Sequence, residues 1–221
     1  VPPRLLLASQ SPRRRQLIGL TGCDVQTAVS DLDETVLDGE TPAQYVTRLA
    51  IAKAQACAHL AGPDQIALGS DTAVIDGSDI LGKPGSPAEA RQMLQRLRGH
   101  SHHVYTAIAA LRIRDGLLLT DLCITAVPMR EYGDEEIEAY VATGDPLDKA
   151  GGYAIQHDGF KPVGTLRGCF ASVMGLPLCH LTRTLARMDE TLDSDVPAGC
   201  QRTLEYACPI FAAVLRGESV G

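Results

Sequence analysis

The chain opens on four apolar residues, Leu5-Leu6-Leu7-Ala8. It then turns polar at Ser9-Gln10-Ser11-Pro12-Arg13-Arg14-Arg15, before Leu17 and Ile18 resume an apolar stripe. A short unbroken apolar run reads as a buried strand, Ser11 as a helix N-cap and Pro12 as the first helical residue. Asp24 to Val29 reads as a second strand, and Thr41-Pro42 opens a helix with an expected apolar face of Tyr45, Val46, Leu49, Ala52 and Ala56. Ile66 to Gly69 is a further buried strand that runs into Ser70-Asp71-Thr72. That places a carboxylate at the carboxyl end of a central strand, where open α/β sheets keep their chemistry.

Asp76-Gly77 marks a short hairpin, Gly82-Lys83-Pro84-Gly85 a loop, and Ser86-Pro87 with Glu89 the start of a helix carrying Met93, Leu94 and Leu97. His103 to Ile113 and Leu117 to Met129, joined at Asp115-Gly116, read as a hairpin long enough to imply a strongly twisted sheet. Glu135 to Thr143 is a short helix stopped by Gly144, and Asp145 to Gly168 is glycine-rich with little periodicity. Pro177 to Met188 reads as the last core helix. Asp189 to Gly199 then reads as an acidic linker, and Arg202 to Arg216 as an amphipathic appendage broken at Pro209. The expected fold is α/β: a strongly twisted mixed sheet with flanking helices and a central cleft.

The arginines change the picture. A helix's first turn attracts acids, and three arginines there oppose the positive end of the dipole at about a few tenths of a kcal/mol each. The arrangement makes sense when an anion sits at that turn, and serine hydroxyls, free N–H groups and guanidinium forks suit a polyphosphate. At least one of the three must point to solvent. The formal net charge of −7 makes this cluster a local feature of an acidic chain, which favours a small anionic ligand over nucleic acid or a membrane surface. Apolar runs such as Phe211 to Leu215 fall far short of a membrane span, and no signal-peptide plan is visible, so a cytoplasmic location is expected. Seven scattered cysteines without a CxxC pair read as reduced thiols.

Hydrolysis of a polyphosphate needs cations on the phosphates, an acid to hold a metal or activate water, and a way to read the base. Arg13, Arg14, Lys53 and Lys83 are candidate phosphate ligands, and Asp71 and Glu34 candidate metal or water partners. Each has a plainer reading: a solvated helix lysine, a turn aspartate, a surface glutamate. Gly82-Lys83-Pro84 is no Walker A loop, lacking the glycines before it and the hydroxyl after Lys83. His100, His102 and His103 are a poor metal set, because strand alternation puts His102 and His103 on opposite faces. Ser172 and Cys169 have no base in a recognisable nucleophile motif.

Taken together, several segments match a family in order. They are Leu6-Ala8-Ser9-Gln10-Ser11-Pro12-Arg13-Arg14, Arg48-Leu49-Ala50 through Lys53-Ala54, Gly69-Ser70-Asp71-Thr72, Gly82-Lys83-Pro84, Leu97-Arg98-Gly99-His100, Asp148-Lys149-Ala150-Gly151-Gly152-Tyr153 through Gln156, and Val173-Met174-Gly175-Leu176-Pro177. Through them the chain resembles the Maf family of nucleoside triphosphate pyrophosphatases, whose architecture is shared with inosine triphosphate pyrophosphatases. The resemblance implies a domain over 1–188, with 189–221 as an extension outside it. It also implies hydrolysis between the α and β phosphates, giving a monophosphate and pyrophosphate with Mg²⁺ or Mn²⁺. Ser9, Arg13, Arg14, Lys53 and Lys83 would bind phosphates; Asp71 would be the central acid, with Glu34 assisting at the metal. Gln156 would sit beside the base, and a homodimer is implied. Arg14, Thr72 and Gln156 resemble the branch acting on dTTP, UTP and modified pyrimidine nucleotides, a house-cleaning role. They argue against the branch acting on 7-methyl-GTP.

A neutral Gln side chain both donates and accepts, which matches the adjacent carbonyl and N–H of uracil or thymine. Tyr153 and Phe160 are candidate walls for the base. The stretch His157-Asp158-Gly159-Phe160-Lys161-Pro162-Val163 departs from the family pattern, and His157 is expected to cap that loop. A reading of another class is a nucleotide-binding regulator of cell division and septum formation, against which the intact set of Asp71, Lys53 and Lys83 weighs.

Overall fold

A computed structural model describes residues 2–221. In chain order its elements are β1 (Arg4–Ala8), α1 (Pro12–Ile18), β2 (Val25–Ala28), α2 (Pro42–Cys57), β3 (Gln65–Asp76), β4 (Asp79–Leu81) and α3 (Pro87–Leu97). They continue as β5 (Ser101–Arg112), β6 (Leu118–Pro128), α4 (Asp134–Ala142), α5 (Phe170–Val173), α6 (Leu178–Ala186), α7 (Val196–Thr203) and α8 (Phe211–Leu215). The six strands form one mixed sheet in the order β2-β1-β3-β5-β6, with β4 also paired to β3. β1 is parallel to β2 and β3, while β3–β4, β3–β5 and β5–β6 are antiparallel. The fold is therefore α/β with a mixed sheet and flanking helices.

The helix starts follow from their caps. Ser11 Oγ accepts from Arg14 N and Ser86 Oγ from Glu89 N, while Thr41 and Gln44 form a reciprocal capping box. One face of the sheet packs Leu5, Leu7, Ile66, Leu68 and Ile108 against Leu17, Ile18, Leu181 and Leu185. The other packs Ala73, Ile75, Ala107 and Ala109 against Val46, Ala50 and Ala54 of α2. These small residues let α2 lie close to the sheet. An added Cβ at Gly69 would fall 1.9 Å from the Ala50 carbonyl oxygen, so only glycine fits there.

Three expectations need correction. β3 does not end at Gly69; its ladder with β5 continues to Ile75, so Asp71 lies mid-strand and not past a strand end. The apolar run Ala73-Val74-Ile75, both of whose faces are covered, carries the strand on. The buried face of α2 is Val46, Leu49, Ala50, Lys53, Ala54 and Cys57, rotated from the expected stripe, with Tyr45, Ala52 and Ala56 only partly buried. Finally, the acidic stretch is not all linker: Asp195 caps α7 by accepting from Ala198 N, so that helix begins at Val196 inside it. A break containing Pro209 separates α7 from α8, as the sequence suggests.

Residues 189–221 lie against the rest of the chain. Val196 and Val214 are buried, Tyr206 Oη donates to the Gly168 carbonyl, and Arg183 of α6 binds the Val214 and Glu218 carbonyls. All seven cysteines are free thiols. His102 is buried while His103 is exposed, as strand alternation requires.

The pairing of β3 changes along its length. β1 pairs with it only over Gln65 to Leu68, and β4 only from Val74 to Asp76. Between these partners, Gly69 to Ala73 keep β5 on one side and have no strand on the other. The cleft opens at this gap.

Candidate active site

Four segments meet at the gap. The β1–α1 segment brings Ser9 from the turn and Arg13 and Arg14 from the first turn of α1; α2 brings Lys53; β3 brings Asp71 and Thr72; and the loop after β4 brings Lys83. With Glu34, Tyr45, Asp148, Lys149, Tyr153, Gln156 and Gly175, they line one cleft of about 610 Å³. Ser9, Arg13, Arg14, Glu34, Lys53, Asp71, Thr72, Lys83 and Gln156 therefore all face the same volume.

At its centre Lys53 Nζ stands 2.6 Å from Asp71 Oδ1 and 2.7 Å from Glu34 Oε1. The segment bearing Glu34 has no regular structure and is tied to α2: Tyr45 Oη donates to the Glu34 carbonyl, and Arg48 binds both Glu40 and the Thr35 carbonyl. Burial pushes the Asp71 carboxyl above its ordinary range, against the opposing pull of Lys53 and Arg14. Burial acts the same way on Glu34, but the hydrogen bond and charge of Lys53, with Lys83 and Arg14, outweigh it and hold Glu34 low. The Tyr45 phenol is pushed up to about 12 by burial and by these two carboxylates.

The three arginines of α1 have three different fates. Arg13 lies 3.6 Å from Asp148 at the cleft. Arg15 is exposed and donates to the Gln10 carbonyl, so it is the one that points to solvent. Arg14 turns inward, with Nε donating to the Gly175 carbonyl at 2.8 Å and Nη2 to Thr72 Oγ1 at 3.0 Å. Burial lowers its pKa, and Asp71 opposes this. Ser9 Oγ accepts from Ser11 N, fixing the turn. Lys83 and Gln156 are exposed and, among the described residues, make no side-chain hydrogen bond, so both are open to a ligand.

Two expectations about the base end divide. Tyr153 is a cleft wall, held by its hydroxyl 2.8 Å from His102 Nε2. Phe160 is not, because its ring stacks on Tyr140 and meets Tyr132 edge-on, away from the cleft. His157 caps its loop by accepting from Phe160 N at 3.0 Å.

The sequence reading assigned no role to Asp148, Lys149 or Thr106. Lys149 Nζ is buried against Asp145 and Asp148 and braces the wall, and only its place in the Asp148-to-Tyr153 motif hinted at this. Thr106 sits in an apolar strand opposite Thr72, a pairing that the register alone reveals. Chemically, the cleft offers a cationic rim for an anion, two carboxylates beneath it, and amide and hydroxyl groups for a polar ring.

Comparison with known proteins gives the family. The model of the Maf-like protein family matches residues 4–188. A dTTP/UTP pyrophosphatase of Syntrophus aciditrophicus is 44% identical over 185 residues, covering 84% of this chain and 90% of that protein. Another, of Anaeromyxobacter dehalogenans, is 44% identical over 197 residues, covering 88% and 99%. Among solved structures, the Ham1 protein of Staphylococcus aureus aligns at 15% identity and a TM-score of 0.44, over 74% of this chain and 81% of that one. Matched through every segment that builds the cleft, and over nearly the whole length of these relatives, this chain belongs to the Maf family.

Proposed function

We propose that this chain hydrolyses UTP, dTTP and modified pyrimidine nucleoside triphosphates to the monophosphate and pyrophosphate, removing non-standard nucleotides. The observation that carries the reading is the Lys53–Asp71–Glu34 cluster, placed under Arg13 and Lys83 in a cleft that also holds Thr72 and Gln156. The relatives described above bear the same activity in their names.

In this reading Arg13, Lys53, Lys83 and the Ser9 turn hold the phosphates and stabilise the charge that develops on leaving pyrophosphate. Asp71 orients the attacking water toward the α phosphorus and takes its proton. Its raised pKa makes it a better base than an ordinary aspartate. Arg14, expected from the resemblance at the phosphates, is read here at the base end of the cleft with Gln156, a reading supported by its hydrogen bonds to the Gly175 carbonyl and Thr72 Oγ1.

The Maf family is consistent with a divalent metal. The donors fit one: Asp71 and Glu34 already converge on a single cation, the Lys53 ammonium, through hard carboxylate oxygens. Among the described residues no three His, Cys, Asp or Glu cluster as a metal centre. Two carboxylates plus substrate phosphates and water suit Mg²⁺ or Mn²⁺. Such an ion, when bound, supplies charge neutralisation at the phosphates and a more acidic water.

Among the described residues no helix is long and apolar enough to cross a membrane. The same reading expects a homodimer at work in the cytoplasm. It also treats 1–188 as the catalytic domain, with 189–221 as a clamp on it.

The test is pyrophosphate release from dTTP, UTP, 5-methyl-UTP, CTP, GTP, ITP and 7-methyl-GTP, with Mg²⁺ or Mn²⁺ and an Asp71→Asn control. Activity on uracil and thymine nucleotides that disappears in the control is expected. Activity confined to 7-methyl-GTP overturns the base assignment, and nucleotide binding without turnover points to the regulator.

A further inference from the structure

Uracil and thymine present a carbonyl oxygen beside an N–H, whereas cytosine presents an acceptor nitrogen beside an amino group. Gln156 alone does not separate them, because its amide oxygen and nitrogen exchange places on rotation and fit either edge. Selection needs a donor and an acceptor that cannot exchange.

The cleft has such a pair, fixed by a chain of hydrogen bonds behind Thr72. Thr72 on β3 and Thr106 on β5 are direct cross-strand partners, with hydroxyl oxygens 3.0 Å apart. Thr106 Oγ1 also lies 2.8 Å from the Ser172 carbonyl, and both residues are fully buried. A carbonyl cannot donate, so the single proton of Thr106 goes to Ser172, and Thr106 must accept from Thr72. The single proton of Thr72 is thereby spent inward. One lone pair of Thr72 takes the Arg14 Nη2 hydrogen, and the other remains for the cleft.

Arg14 is fixed from behind in the same way. Its Nε donates to the Gly175 carbonyl, which lies 2.9 Å from Ser70 Oγ, a hydroxyl whose proton Gly175 shares with the Ala107 carbonyl. Gly175 has a φ of +106°, and a Cβ there would come within 3.1 Å of Arg14 Nε and 3.3 Å of Thr72 Oγ1. Arg14 uses two of its five N–H groups on these partners and keeps the others for a ligand.

We propose that Thr106 is a positioning residue for base selection. It takes the Thr72 proton, so that Thr72 offers only an acceptor beside the Arg14 donor, and this ordered pair reads the carbonyl and N–H of uracil or thymine. The inference rests on the pyrimidine nucleotide reading above. The O6 and N1–H of guanine show the same order, so the relay sorts against cytosine and leaves purine exclusion to the size of the cleft.

The test is kcat/KM for UTP and CTP in the wild type, Thr106→Val and Thr106→Ser, with thermal melts alongside. Valine keeps the volume and removes the relay, which frees the Thr72 proton to face the N3 of cytosine. The UTP-to-CTP preference should fall about tenfold or more in Thr106→Val and return in Thr106→Ser. An unchanged ratio, or an equal loss on both nucleotides, means that Thr106 only packs the core and overturns the proposal. Should Thr106→Val fail to fold, N3-methyl-UTP on the wild type decides: turnover as poor as CTP supports the relay, and turnover close to UTP overturns it. A wild type inactive on every nucleotide fails the functional reading and the relay together. Activity on UTP with an unmoved ratio fails the relay alone.

Discussion

Lys53 reaches from α2 to stand 2.6 Å from Asp71 on β3, with both side chains at most 10% exposed. A buried ion pair of this kind costs more when one partner is lost than when the charge is removed from both. Lys53→Met strands the Asp71 carboxylate and is expected to destabilise the fold by about 3 kcal/mol. Asp71→Asn leaves Lys53 paired with Glu34 and should cost much less, while lowering pyrophosphate release by about a hundredfold or more. Urea melts of the two variants check this. Equal stability losses would mean that the ammonium does not offset a buried charge.

Gly69→Ala is expected to destabilise by about 3 kcal/mol, because the new methyl group meets the Ala50 carbonyl and the Ala54 amide. Any relief moves α2 off the sheet and Lys53 away from Asp71, so activity should fall even where the variant remains folded. Circular dichroism melts together with turnover at a temperature where the variant is fully folded separate the two effects.

His102 gives the fold a pH dependence independent of catalysis. Burial, followed by the charge of His100, lowers its pKa from 6.5 to about 4, with Asp76 pulling the other way. The unfolded chain therefore binds a proton that the folded chain refuses. The contribution to stability is complete above the unfolded value and is lost as pH falls from about 6.5 toward about 4, by up to about 3 kcal/mol. The melting temperature should drop across that interval and drop less in His102→Gln. Parallel curves would remove His102 as the cause.

Deleting residues 189–221 uncovers Leu181, Leu185 and Met188, which pack with Val196 in the same core cluster. The shortened chain is expected to melt at least several degrees lower and to bind a hydrophobic dye. An unchanged melting temperature would make the tail an ornament on a self-sufficient core.

The sequence made local features legible because local chemistry decides them. Ser11, Thr41 and Ser86 cap their helices where the serine or threonine before proline says they should. Asp71, Lys53, Glu34 and Lys83 are candidates on residue type and motif position, and they share the cleft. What stayed hidden depends on partners distant along the chain. The true length of β3 is set by its ladder with β5, and the inward turn of Arg14 by the Gly175 carbonyl 161 residues away. Phe160 looked like a wall for a ring, yet Tyr132 and Tyr140 claim it. Thr106 has no sequence signal at all, since one hydroxyl in an apolar strand gains meaning only from what faces it.

The stretch of β3 paired with β5 alone, between its β1 and β4 partners, has a consequence for how a substrate would be held. Alternation sends Asp71 toward α2 and Thr72 toward α5, on opposite sides of the sheet, yet both line the cleft at the open edge of this stretch. On the proposed function, the ligand would lie in a slot at this edge of the sheet, with its triphosphate served from one side and its ring from the other. In that reading, adjacent residues of a single strand divide reaction from selection. A one-residue slip of that strand would exchange the faces of Asp71 and Thr72 and break the Lys53 and Thr106 contacts at once.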